Sequence, residues 1–267
     1  MRPTRRLRVE FAKTREHDAA RAVDALARRF GGAVPSLLLL FASPDSDLDA
    51  LGEAISDRFP GPVLACTTAG EINAEEGYAT GEIVAAAVWS PELNVRTVFV
   101  ASLADFTADP DPKALRGLGQ PDPGRAFALL VVDGLSKREE IVVEKIHSRL
   151  RGIPLVGGSA GDGLDFRRTA VYHAGRFHED AAVLLLCETT LPFPPCRIQH
   201  SEPTEEKLVV TEADGPTRRV FEINGLPAAE EYARAVGLSP AELEPRVFAA
   251  HPLMLRVGGE YFVRSIR

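Results

Sequence analysis

Residues 154–162 read PLVGGSAGD. The apolar run 153–156 feeds a loop of three glycines, one serine, one alanine and one aspartate. Glycine lets another group approach the backbone closely. A loop of this kind at the end of a buried strand is a common place for a ligand site. Two other stretches repeat the theme. CTTAGE, residues 66–71, follows the short apolar run 63–66, and DGLS, residues 133–136, follows the apolar run 126–132. Continuous apolar runs of this length suit strands covered on both faces. Three buried strands ending in small, hydroxylated loops predict a mixed α/β fold, with layered β-sheets and flanking helices. If the three strands run parallel in one layer, their loops open on one edge, where ligands of such sheets bind.

The rest of the chain supports that frame. Residues 7–13 alternate as a strand. Residues 16–30 carry Ala19, Ala22, Val23, Leu26 and Ala27 at helical spacing, and Gly31-Gly32 stops them. Residues 36–42 form another buried strand, and 48–59 a second helix. Residues 82–89 and 93–103 read as adjacent antiparallel strands, because three residues are too few for a crossover. Ser136 stands as the N-cap of a helix over 137–150, with Glu139 completing a capping box. The apolar runs 168–172 and 181–187 read as a hairpin turning near Gly175. The prolines of 191–195 predict a linker, which divides the chain into domains 1–190 and 191–267. Beyond it, 207–211 and 218–223 read as strands, and 227–235 and 239–247 as short helices. No fixed-period solenoid repeat is apparent.

Composition removes several classes. The chain has 267 residues and a formal net charge of −7, without the basic footprint of a nucleic-acid binder. Arg2, Arg5, Arg6 and Arg8 interleave with apolar residues and read as a solvated first strand. No run approaches the roughly 20 apolar residues that a membrane span needs, and no secretory leader is visible. Three cysteines, Cys66, Cys187 and Cys196, argue against a disulfide framework and for a reducing cytoplasm.

The loops also admit specific chemistries. Residues 157–161 fit G-x-S-x-G, the nucleophile elbow of serine esterases. That motif needs a helix immediately after Ser159, and AGDGLD at 160–165 reads as loop. Phosphate-binding patterns are missing: no G-x-G-x-x-G, and no Gly-Lys-Ser/Thr closing a loop. His147, His173, His178, His200 and His251 are candidate haem ligands in the absence of a covalent attachment motif. His173 and His178 flank the Gly175 turn, with no zinc spacing. Cys66 reads as a small buried residue. The loops themselves nominate Thr67, Thr68, Gly70, Glu71, Ser136, Gly157, Gly158, Ser159 and Asp162 as ligand contacts, with no catalytic residue and no metal ligand. Ser159 and Asp162 lead that set. Free N–H groups at the start of the helix after Ser136 suit an anionic group.

The chain resembles the FIST family, a bacterial and eukaryotic sensory module. The resemblance is carried, in order, by CTTAGEI at 66–72, DGLSKREE at 133–140, PLVGGSAGD at 154–162 and TAVYHAGRFHEDAAVLLL at 169–186. VTEADGPTRRVFEINGLPAAEEY at 210–232 and His251-Pro252 resemble the start of the family's C-terminal half, which is partial here. The resemblance implies a cytoplasmic, non-enzymatic signal-transduction protein that binds a small ligand, an amino acid or a related metabolite. Its output would pass to a separate partner, a histidine kinase or a cyclic-di-GMP enzyme. For some relatives it implies haem and nitric-oxide sensing, which stands as the alternative.

Overall fold

A computed structural model describes the chain except residues 1–5, 74–76, 110, 164, 197, 200, 216, 265 and 267. Arg2, Arg5 and His200 therefore lie outside the described residues. Two compact units are present, Met1–Pro195 and Cys196–Arg267.

The first unit contains two halves of matching topology. The first half runs β1 (Arg8–Thr14), α1 (Ala19–Arg29), β2 (Leu37–Ala42), α2 (Leu48–Arg58), β3 (Val63–Thr67), the hairpin β4 (Glu71–Asn73) and β5 (Gly77–Ala79), and β6 (Ile83–Trp89). The second half runs β7 (Leu93–Val100), α3 (Leu103–Ala108), a 3-10 segment (Lys113–Leu118), β8 (Ala126–Val132), α4 (Glu139–Leu150), β9 (Leu155–Ser159), the hairpin β10 (Val171–His173) and β11 (Arg176–His178), and β12 (Ala182–Thr189). Strand order is β1-β6-β2-β3 in one sheet and β7-β12-β8-β9 in the other. In each, the last pair of this order (β2 with β3, β8 with β9) is parallel and the other two pairs are antiparallel. Single hydrogen bonds repeat as well. Thr68 N–H donates to Ala42 C=O as Ala160 N–H does to Val132 C=O, and Ser43 N–H to Glu82 C=O as Asp133 N–H does to Ala181 C=O.

The period of two along each strand places the two sheets face to face between helices. Leu38, Leu40, Ala65 and Ala85 turn outward to α1 and α2. Ala128, Leu130, Leu184 and Leu186 turn outward to α3 and α4. The intervening residues, among them Leu37, Leu64, Cys66, Val131, Val183, Leu185 and Cys187, fill the layer between the sheets. Mixed α and β content in layered sheets with flanking helices is thus what the sequence predicts. α1 and α2 start where short acids cap them: Asp18 accepts from Arg21 N–H at 2.9 Å and Asp47 from Ala50 N–H at 3.1 Å.

Three local expectations are corrected. Strands 82–89 and 93–103 do not form a hairpin: β6 pairs with β1 and β2, and β7 pairs with β12. The turn between them is a corner from one sheet to the other. Ser90 pins it, donating its hydroxyl to Arg6 C=O and its N–H to the Ser36 hydroxyl oxygen. The turn near Gly175 closes β10 on β11, with Ala174 and Gly175 both at positive φ, as a two-residue hairpin turn requires. The run 181–187 crosses instead to the second sheet. Finally, α4 begins at Glu139, and its N-cap Arg138 carries no side-chain cap. Lys137 is left-handed (φ 55°), which breaks the helix from Ser136. The Ser136 hydroxyl turns back to Asp133 C=O at 2.6 Å.

The second unit holds β13 (Val210–Asp214), β14 (Arg219–Ile223), β15 (Leu226–Pro227), α5 (Ala228–Ala235), α6 (Pro245–Ala250), and the hairpin β16 (Leu253–Val257) with β17 (Glu260–Arg264). Its buried acid is Glu231. Arg234 grips it through two nitrogens and the Asn224 amide donates to it. These contacts lower the Glu231 pKa to about 2, the Arg234 bonds contributing most. A carboxyl held below its unfolded value stabilises the fold above that value and loses the contribution as pH falls through the folded one. Acid titration of wild type followed by circular dichroism is expected to show a stability loss between about pH 4.5 and pH 2 that Glu231→Gln lacks.

Candidate functional site

At one end of the first unit the strand ends of both sheets gather. β3, β8 and β9 do not share one layer: β3 belongs to the first sheet, β8 and β9 to the second. The expectation of a single parallel layer is therefore replaced by a face-to-face arrangement, and the three loops still meet. Gly161 N–H donates to Thr67 C=O at 3.0 Å, joining the loop after β9 to the end of β3. A Cβ at Gly134 would overlap the Ala160 carbonyl, so the loop after β8 also lies against the loop after β9.

Much of the polar inventory in these loops is spent on holding them together. Thr67 is buried, and its hydroxyl accepts from Ala170 N–H at 3.0 Å. The Thr68 hydroxyl donates to Glu71 at 2.6 Å, and the other Glu71 oxygen accepts from Glu82 N–H. Gly70 lies under the Tyr78 ring, whose hydroxyl donates to Ala69 C=O at 2.9 Å. Asp162 is buried and accepts three backbone N–H groups, from Phe166, Arg167 and Arg168. It clamps the long loop before β10. Ser159 differs: it is exposed at the end of β9, and its hydroxyl has no partner among the described residues. Gly157 and Gly158 beside it are exposed along the outer edge of the second sheet.

Two acids outside the nominated set frame the end. Asp133 accepts from Leu135 N–H at 3.0 Å, from Asp180 N–H at 2.5 Å and from the Thr169 hydroxyl. Glu82 is fully buried; Arg15 Nε meets one of its oxygens at 2.6 Å and Lys13 Nζ at 3.6 Å, while the other oxygen has no partner. An Asp opening a D-G turn after a buried strand is a legible signal for the first. Glu82 is a single acid at a strand start and gives none.

The structure also places the residues of the competing chemistries. Among the described residues no helix starts directly after Ser159; the next regular element is β10. Four of the five candidate haem-ligating histidines are among the described residues. His147 and His251 are exposed. His173 and His178 both lie against Phe99, with ring centroids 4.4 and 4.7 Å away, and His178 Nε2 contacts His173 C=O. Burial, then the neighbouring His178, lowers the His173 pKa. Both rings are half-buried. Burial pushes the Cys66 thiol up to about 12, far from a reactive thiolate. Among the described residues no group of three or more His, Cys, Asp and Glu could hold a metal ion, and no helix is long and apolar enough to cross a membrane. A cleft lined by Glu92, Pro121, Asp122, Arg125, Glu188, Thr189 and Thr190 lies at the opposite end of the second sheet. Its acids are engaged, Glu92 with Arg6, Glu188 with Arg96, and Asp122 with Gly124 N–H.

Two mixed sheets whose small-residue loops gather at one end define a compact α/β domain. The FIST N domain profile matches residues 36–226. The chain belongs to the FIST family, whose members are sensory domains. No curated protein matches the sequence. Among solved structures, a cyanuric acid hydrolase from A. caulinodans is similar at 13% identity, with a TM-score of 0.33, over 69% of this chain and 71% of that one.

Proposed function

We propose that this protein is a cytoplasmic sensor which binds an amino acid or related small metabolite at the end of the sandwich where β3, β8 and β9 finish. It passes the signal to a separate partner, a histidine kinase or a cyclic-di-GMP enzyme. One observation carries the reading. The Gly161–Thr67 hydrogen bond joins loops of two sheets, and beside this junction stands Ser159, an exposed hydroxyl with no partner of its own. A group bound there touches both halves of the domain, which suits a device that reports occupancy. The role is binding and not catalysis, because the serine lacks the following helix that a nucleophile elbow uses to supply an oxyanion N–H.

The test is thermal melting against a panel of amino acids and related acids. A ligand at 100 times its Kd adds about 2.7 kcal/mol, which reads as a rise of several degrees. Ser159→Ala is expected to remove most of that rise and leave the ligand-free melting temperature in place. Gly158→Val acts similarly, since a Cβ there meets nothing within 4 Å. A folded protein that no member of the panel shifts would overturn the reading.

A further inference from the structure

The two halves of the first unit are equivalent in topology but not in how they are completed. The second half's hairpin, β10–β11, leaves its own sheet and extends the first one, pairing with the outer edge of β3 through Val171 and Cys66. There it covers the inner face of β7, with His173 and His178 on Phe99. Its cross-strand pair Tyr172 and Phe177 is buried, at 5% and 8% exposure, in the core beneath α2.

Each of those places has a counterpart that is left open. The counterpart of β3 is β9, whose outer edge pairs with no strand among the described residues. The counterpart of the inner face of β7 is that of β1. There Leu7, Val9 and Phe11 are exposed, whereas Leu93, Val95 and Phe99 on β7 are half-buried. The counterpart of α2 is α4. Buried Leu51, Ile55 and Phe59 match buried Val142, Ile146 and Leu150, and next to them Val143 and Ile141 stand exposed. The counterpart of Thr67, whose hydroxyl takes the Ala170 N–H, is the unpartnered Ser159. The counterpart of β10–β11 is β4–β5. It forms a two-stranded sheet of its own, and its cross-strand pair Ile72 and Tyr78 is 74% and 65% exposed.

We infer that the β4–β5 hairpin of this chain docks on the free edge of β9, covering Leu7, Val9 and Phe11 and setting Ile72 and Tyr78 against Val143 and Ile141 of α4. An unpaired edge beside an uncovered apolar row is a template for strand addition. The hairpin that fits it by topology is already tethered next to the end of β3. In α2 the matching position is Gly52, where a Cβ would come within 2.5 Å of the Gly175 carbonyl. Val143 therefore holds the docked hairpin further from its helix than β11 lies from α2. The inference stands on packing, and the tests below read the hairpin with no ligand present.

The test is a thiol cross-link between Ile72→Cys and Val143→Cys in a Cys196→Ser background, with a short bis-maleimide at dilute protein. Both sites are exposed, and Cys66 and Cys187 are buried with thiols raised to about 12. A cross-linked monomer is expected. A cross-linked dimer would reassign the edge to a second copy's hairpin and overturn the inference. So would no cross-link when each cysteine is labelled separately. Hydrogen exchange gives an independent readout: Ile72→Asp is expected to speed exchange at least tenfold in residues 155–159 and to leave 63–67 unchanged. Equal rates in wild type and variant would also overturn it.

Discussion

Asp133→Ala is expected to destabilise the first unit by about 4 kcal/mol, lowering its melting temperature by roughly 10 °C. The carboxylate is buried and serves three segments at once: its own turn through Leu135 N–H, the strand approach through Thr169, and the start of β12 through Asp180 N–H. Alanine leaves the Asp180 N–H and the buried Thr169 hydroxyl short of an acceptor, and leaves the Leu135 N–H only the Thr169 oxygen at 3.2 Å. Each such loss costs about 1–3 kcal/mol. Asp133→Asn keeps one acceptor oxygen and is expected to cost about half as much. Differential scanning calorimetry checks both. Equal melting temperatures for Asp133→Ala and wild type would show that the acid is not the tie described.

Gly157→Val is expected to cost about 3 kcal/mol or more. β9 lies parallel to β8 with Gly157 opposite Leu130, and a Cβ at Gly157 would overlap the Leu130 carbonyl oxygen. The strand must lift from the sheet to admit any side chain. Gly158, one residue on, points its missing Cβ into open space, so Gly158→Ala is expected to be within about 0.5 kcal/mol of wild type. Denaturant melts of the two variants side by side test the contrast. A Gly157 variant as stable as the Gly158 one would refute the close approach.

These residues also show what the sequence discloses. The continuous runs at 36–42 and 126–132 announce strands covered on both faces, and the structure forms them at Leu37–Ala42 and Ala126–Val132. A run that is apolar throughout does not say which of two facing sheets it joins. Hence the three-residue turn at 90–92 reads as a hairpin and is a sheet-to-sheet corner. Small and hydroxylated residues at three strand ends disclose that the loops belong together. The part played by each acid there stays hidden, because the partners of Asp162 and Asp133 are largely backbone N–H groups, which every sequence has. The duplication is hidden for a related reason. Leu51, Ile55 and Phe59 share with Val142, Ile146 and Leu150 only their spacing and apolar character.

The hairpin that completes the first sheet from the second half has a further consequence, for the order of assembly. The Ala170 N–H that caps the end of β3 comes from 103 residues downstream, so the first half emerges from the ribosome well before its outermost strands exist. Contacts of such separation are slow to form. Until they do, β3 presents a bare edge to any neighbouring chain. A nascent chain of this fold is therefore most exposed to mispairing midway through synthesis, and a halt near the start of β10 would be more harmful than one after β11.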